Sequence, residues 1–445
     1  MSRGPARPAA LPIALGVLAG LALVAWVVVG FLDVPLGQRL VDLAVYRDAG
    51  RSVLNGRDVY GYLTPPPQRL SFTYPPFAAL LSVPLAVLPF DLAGGLWTAS
   101  ELVVTTVITW WGFRRLWPRA GQWWPLALGV LAGLMTQLLP FRDEIKFGQV
   151  DELIVVLCVL DCAVRQPRWP RGVLIGVAAA IKLTPLVFVP YLFLTGRRRA
   201  SAVAAATAVG LSLLTAAVIP GASHDYWTDD LFHTSRLQDN AGTSNQSLRG
   251  MLLRAGLPHS GYDVALVVAV IVVAVVGYRQ AVQAQRVDEV AGVALTGLLA
   301  VLLSPVAWIH HLVWLPLVVG TVIADGRSPR RVAAGLGLVA FFVLRVPWIG
   351  FHMLHTAWPQ PLARIVQDAF GLMAVVLIAT LKPQGTTPHI TRLNLDTRGC
   401  AGDDDDQRGP AQSSADVLAR HDAQPRGPSA QPHSSPRVTR RRPHD

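Results

Sequence analysis

The sequence predicts an all-α polytopic membrane protein, and three observations predict it. Of 445 residues, 52% are hydrophobic and only 15% charged, whereas soluble domains carry about 25% charge. The apolar residues come in runs approaching or reaching the roughly 20 residues a helix needs to cross a bilayer. Between the runs, Arg-rich loops alternate with loops rich in carboxylates, histidines and aromatics, and Lys/Arg bias of this kind sorts loops between the two sides of a membrane.

Residues 11–32 form the first predicted span. Arg3 and Arg7 hold its start in the cytoplasm, its apolar run is too long for a signal peptide, and no small-residue cleavage site precedes Asp33. An outer loop, 33–75, follows. Span 91–113 returns to Arg114, Arg115 and Arg119; 124–140 goes out to the polar loop FRDEIKFGQVDE, and 150–164 comes back to Arg165. Span 200–219 leads out to a long polar loop, 220–261, and 262–278 returns to Arg279 and Arg286. Spans 289–303, 311–324, 332–349 and 362–381 complete about ten full crossings with both ends cytoplasmic. Segment 76–90 is short and carries Pro84 and Pro89. Counted as a crossing it would invert every later basic loop, so it is expected to re-enter from the outer side.

Gly172–Leu194 (GVLIGVAAAIKLTPLVFVPYLFL) holds one charge, Lys182, followed by Thr184 and Pro185. Arg165, Arg168 and Arg171 precede it, and Arg197, Arg198 and Arg199 follow. With basic residues at both ends, the segment should enter and leave on the cytoplasmic face, as a hairpin broken at 182–185. Irregular backbone at that depth survives only inside protein or beside a cavity. A buried ammonium is normally paired or faces a wet chamber.

Other classes fit poorly. The net charge of +11 lies mostly in short loops and the C-terminal tail, where topology and anionic headgroups explain it better than nucleic acid does. Three cysteines make no disulfide framework: Cys158 and Cys162 sit one turn apart within a span, and Cys400 lies in the tail. No phosphate-binding glycine loop occurs. Residues 382–445, including Asp403 to Asp406, have no apolar periodicity and read as a disordered cytoplasmic tail. The expected organisation is a cytoplasmic N-terminus, 1–10, a transmembrane domain, 11–381, and that tail.

The predicted outer loops collect Asp42, Tyr46, Asp48, Tyr74, Asp143, Gln149, Asp151, Asn245, Gln246, Arg249, His310 and His311, together with His233 and Arg236. The inner loops hold mostly arginine. Such asymmetry suits an outward-facing binding or catalytic chamber. A chamber there has no ready access to nucleotide sugars, so an activated donor must come from the membrane. A transporter is the rival from another class, but internal repeats with paired broken helices, which many transporters carry, do not appear.

Six blocks carry a family resemblance: residues 40–62, FTYPPFAALLSVPLAVLPF (72–90), FGQVDELIVVL (147–157), AAAIKLTPLVFVPYLF (178–193), TSNQSLRGMLLR (243–254) and LLSPVAWIHHLVWLPL (302–317). In this order they resemble glycosyltransferase family 87 of the GT-C superfamily. The resemblance implies a multi-pass cell-membrane enzyme with an outer active site. It further implies transfer of mannose from polyprenyl-phosphate-mannose, with inversion, into an α-(1→2) linkage on a phosphatidylinositol mannoside, lipomannan or lipoarabinomannan. Arabinose or glucose is the alternative sugar. One departure is Gly148-Gln149-Val150-Asp151, where the family pattern carries an asparagine in place of Asp151.

Inversion needs a base on the acceptor hydroxyl. The superfamily places an Asp or Glu early in the first outer loop for this, which points to Asp42; its other reading is a helix N-cap. Asp48 is the substitute base or a substrate contact. Negative charge growing on the leaving phosphate calls for preset cations: Lys182 first, then His310 or His311. Asn245, Gln246, Gln149 and Tyr74 are candidate sugar contacts, and Arg249 a phosphate or sugar contact. No cofactor is expected. Asp42, Asp48 and His310 are the residues a divalent ion would use, but no tight carboxylate pair stands beside Asp42, which favours a metal-free site.

Overall fold

The computed structural model describes residues 10–32, 34–66, 68–232 and 240–385. The expected N-terminal segment, the tail beyond 385, His233 and Arg236 lie outside the described residues. Among the described residues the elements are helices; two isolated bridges, Leu63–Ser71 and Asn245–Trp308, are the only β pairings.

Four helical stretches are long and apolar enough to cross a membrane: Ala10–Leu32, Phe90–Met135, Arg198–Val218 and Gly261–Val287. Two bent pairs bring the number to six, Pro329–Val343 with Val346–Met353 (52°) and Gln360–Gln367 with Ala369–Thr380 (66°). The helices at the expected spans 150–164, 289–303 and 311–324, namely Asp151–Ala163, Glu289–Leu303 and Leu315–Ile323, fall short of a full crossing. Their setting accounts for the difference. Every residue from Val290 to Leu302 is buried in protein, so this helix is not matched in length to a lipid slab. Ala10–Leu32, by contrast, exposes Leu11, Leu18, Leu21, Trp26 and Val29, as a lipid-facing helix should.

Lipid supplies no hydrophobic drive between apolar helices, so close backbone packing at small residues must hold them. Gly16 and Gly129 place Ala10–Leu32 and Trp124–Met135 so near each other that a Cβ on either would collide with the facing backbone.

The hairpin forms as expected. Val173–Ile181 ends at Lys182, whose backbone is extended, and Thr184–Val187 makes a 3-10 turn into Phe188–Leu194. Gly172 packs against the Ala200 carbonyl, while the Val189 carbonyl accepts from Ser201 Oγ at 2.9 Å. Both limbs therefore meet the same turn of Arg198–Val218.

Loops expected on the inner face are tied to one another. Arg114 and Arg115 pair with Asp288 at 2.5 and 3.2 Å, and Arg197 pairs with Glu289 at 2.8 Å. Arg171 donates to the carbonyls of Asp161 and Cys162 at 2.5 and 2.7 Å. Arg115 also reaches the Gln384 carbonyl at 2.7 Å.

The polar stretch expected as a loop is largely helix, Leu139–Phe147. Its apolar residues Leu139, Phe141 and Ile145 are buried, and Pro140 at its start suits a first turn. Gly148 closes it with φ +70°, where a Cβ would lie 2.9 Å from that of Leu43. A non-glycine residue pays roughly 1–2 kcal/mol in that left-handed conformation. Gly148→Ala is expected to lower the thermal midpoint of the detergent-solubilised protein; an unchanged midpoint would show that the turn accommodates a side chain.

Candidate active site

Helix Val41–Leu54 starts after Leu40, whose φ of 52° turns the chain and whose N–H donates to the Lys146 carbonyl at 2.8 Å. No side chain caps the helix, so the N-cap reading of Asp42 fails. Asp42 sits in the first turn, and its Oδ2 accepts from Gln149 Nε2 at 2.6 Å. The other end of that amide is held by two phenols: Gln149 Oε1 accepts from Tyr46 at 2.8 Å and Tyr74 at 2.9 Å. Tyr46 follows Asp42 by four residues, hence on one helix face.

The turn Gly148-Gln149-Val150 hangs from Glu144. Its carbonyl accepts from Gly148 and Gln149 N–H, and its Oε1 accepts from Glu152 N–H at 3.0 Å. This fixes Asp151 at the start of the next helix. Lys182 Nζ lies 2.8 Å from each Asp151 oxygen and 3.1 Å from His311 Nε2. It also stands 5.4 Å from the Tyr74 ring centre. His310 crosses His311 edge to face, with centres 4.7 Å apart, and its buried Nε2 has no hydrogen-bond partner among the described residues.

Asp42, Tyr74, Gln149, Lys182, His310 and His311 line one cavity of about 650 Å³, together with Asp143. Leu183, Val187, Leu303 and Val306 make part of its wall apolar. Burial pushes the Asp42 carboxyl up to about 6, against the Gln149 hydrogen bond and the Lys182 charge, which pull it down. Chemically, the cavity joins a carboxylate able to take a proton near neutral pH to a cationic corner and a greasy wall.

Ligand atoms of Asp151, His310 and His311 lie within 4.8 Å of one another, a cluster that could be taken for a metal centre. The Lys182 ammonium already bonds two of the three, so a divalent ion there would face an adjacent positive charge. The residues do not fit one. The other trio considered, Asp42, Asp48 and His310, is not assembled, because Asp48 turns to Arg51 at 3.4 Å, outside the cavity lining.

Three further expectations need correction. Asn245 and Gln246 are fully buried and do not face the cavity. Asn245 Oδ1 accepts from Ala307 N–H at 3.0 Å and Ser247 N–H at 3.2 Å. Gln246 bonds the Thr243 and Gln367 carbonyls at 2.7 and 3.0 Å, and its Oε1 accepts from Gly371 N–H at 2.9 Å. Their amides are spent on backbone. Arg249 is also absent from the cavity wall, on a helix, Leu248–Arg254, that starts beyond those amides.

Sequence reasoning singled out neither Asp151, Tyr46 nor Asp143 as a site residue. A signal existed for Asp151: a lone buried lysine demands an anion, and the one departure from the family pattern supplies it. The spacing of Tyr46 from Asp42 was a signal for the second. Asp143 gave none, because the stretch holding it read as loop.

Comparison with known proteins fits this arrangement. A family model for glycosyltransferase family 87 matches residues 72–305. A polyprenol-phosphate-mannose-dependent alpha-(1-2)-phosphatidylinositol mannoside mannosyltransferase of Mycolicibacterium smegmatis is 35% identical over 353 residues, 73% of this chain and 79% of its own. Its namesake in Mycobacterium tuberculosis is 31% identical over 413 residues, 86% and 93% of the two chains. A phosphatidylinositol pentamannoside mannosyltransferase of the same species is 33% identical over 371 residues, 80% and 82% of the two. No solved structure matches. By the family match and by relatives that span most of its length, the chain belongs to glycosyltransferase family 87.

Proposed function

We propose that the protein moves mannose from polyprenyl-phosphate-mannose to a lipid-anchored mannoside, forming an α-(1→2) linkage with inversion. The observation that carries this reading is a proton-accepting carboxylate, Asp42, and an ammonium, Lys182, beside two histidines, on the wall of one cavity. The names of the relatives carry the same donor and acceptor class.

In this reading Asp42 takes the proton of the acceptor hydroxyl while that oxygen bonds the anomeric carbon and the carbon–oxygen bond to phosphate breaks. Gln149, held by Tyr46 and Tyr74, aims Asp42. Negative charge growing on the departing phosphate meets Lys182 and the unpartnered His310 nitrogen. The apolar wall of Leu183, Val187, Leu303 and Val306 suits the first isoprene units of the donor. No nucleotide is needed, since the phosphate carrier is itself a membrane lipid.

The same reading sets residues 11–381 as the catalytic domain, crossing the membrane about ten times, with the cavity on the periplasmic side and both termini in the cytoplasm. The mutual ties among Arg114, Arg115, Asp288, Arg197, Glu289 and Gln384 support one shared cytoplasmic face. The segment 76–90, two short helices Pro76–Leu81 and Val83–Val87, takes the re-entrant role.

Asp42→Asn is expected to reduce transfer by roughly 10²–10⁴-fold, the usual share of a general base, with expression and insertion retained. Normal turnover by that variant would sink the base assignment. The base works only when deprotonated, so wild-type kcat should be full above the Asp42 value of about 6 and fall as pH drops through it. A rate that stayed flat down to pH 5, about one unit below that value, would count against it. Lys182→Met is expected to lose most transfer from labelled polyprenyl-phosphate-mannose in membranes; a retained rate would make the lysine purely structural.

A further inference from the structure

Asp143 has no part in the chemistry above, yet it lines the cavity. Among the described residues its carboxylate has neither a hydrogen-bond partner nor an ion pair, although Lys146, Arg345 and Arg142 are near enough for their charges to act on it. Phe147, four residues on and so on the same helix face, also lines the cavity, its ring centre 5.9 Å from that of His310. A free carboxylate beside an aromatic ring is a sugar-recognising pair: the oxygens accept from ring hydroxyls, and the aromatic face packs on the C–H groups.

Position selects which sugar. The Leu40 N–H to Lys146 carbonyl bond, at 2.8 Å, joins the end of Asp143's helix to the start of Asp42's. The helix of Asp143 thus packs beside the helix of the base, while Phe147 at its end meets His310. The donor phosphate belongs with Lys182 and the histidines, where a second free carboxylate would repel it. The sugar at the base is the acceptor.

We propose that Asp143, with the Phe147 ring, forms the acceptor-sugar subsite, gripping hydroxyls of the terminal mannose whose neighbouring hydroxyl is presented to Asp42. The assignment rests on the transferase reading above. It makes Asp143 a specificity residue: a saccharide lacking the gripped hydroxyls loses that contact, whereas the donor does not feel it.

The test uses the full chain in nanodiscs with methyl α-mannoside as a binding probe, followed by saturation-transfer NMR. In parallel, transfer from synthetic polyprenyl-phosphate-mannose to a short α-mannoside is measured. Asp143→Ala is expected to weaken mannoside binding and raise the acceptor KM tenfold or more, with donor KM within twofold. Asp143→Asn and Phe147→Leu, milder changes, should give smaller shifts in the same direction. Unaltered acceptor binding and KM across the three variants would overturn the subsite. So would a collapse of kcat at unchanged acceptor KM, which would make Asp143 a base, or a shift confined to donor KM. Wild-type protein that binds the mannoside but transfers nothing would refute the proposed reaction, while the binding comparison would still decide the role of Asp143.

Discussion

The rest of the site depends on one buried ion pair. Lys182 lies at the break of an apolar hairpin, and Asp151 opens the next helix; Nζ meets both carboxylate oxygens at 2.8 Å. Removing one partner of such a pair leaves an uncompensated charge and costs about 3–5 kcal/mol. Hairpin and turn are therefore mutually required: the hairpin sets the height of the ammonium, and Glu144 sets the turn that presents the carboxylate.

The pair also explains why Asp42 stays basic. If Lys182 bonded Asp42 directly, the attraction would hold its carboxyl low and make it a poor proton acceptor. Asp151 takes the ammonium instead, and Asp42 receives a neutral donor, Gln149. Burial then dominates and raises it to about 6. The two carboxylates thus have different partners, a cation for Asp151 and an amide for Asp42.

Much of this was legible in the sequence, and for physical reasons. An isolated lysine followed by Thr184 and Pro185, in an apolar run too short for two crossings, marked the break at Lys182. Asp42 was legible through the family resemblance, which looks to a carboxylate early in the first outer loop. The helix Leu139–Phe147 was hidden because its charged residues, Arg142, Asp143, Glu144 and Lys146, mask a buried stripe of Leu139, Phe141 and Ile145. The length of Leu315–Ile323, expected over 311–324, was also illegible, since burial among other helices removes the bilayer as its ruler. Asn245 and Gln246 misled because an amide suited to sugar hydroxyls is equally suited to peptide groups, and only folding decides which it meets.

Those two amides clasp three segments far apart in the chain: Thr243–Ser247, the strand-like turn at Ala307–Trp308, and Gln367–Gly371. The histidine turn begins one residue after that clasp. Lesions around Gln367 and Gly371, which touch no substrate, would consequently loosen the phosphate corner from behind. A screen of randomly inactivated clones would return them beside the true cavity residues, and mapping inactivity onto the chain would draw an active site larger than the one that does the chemistry.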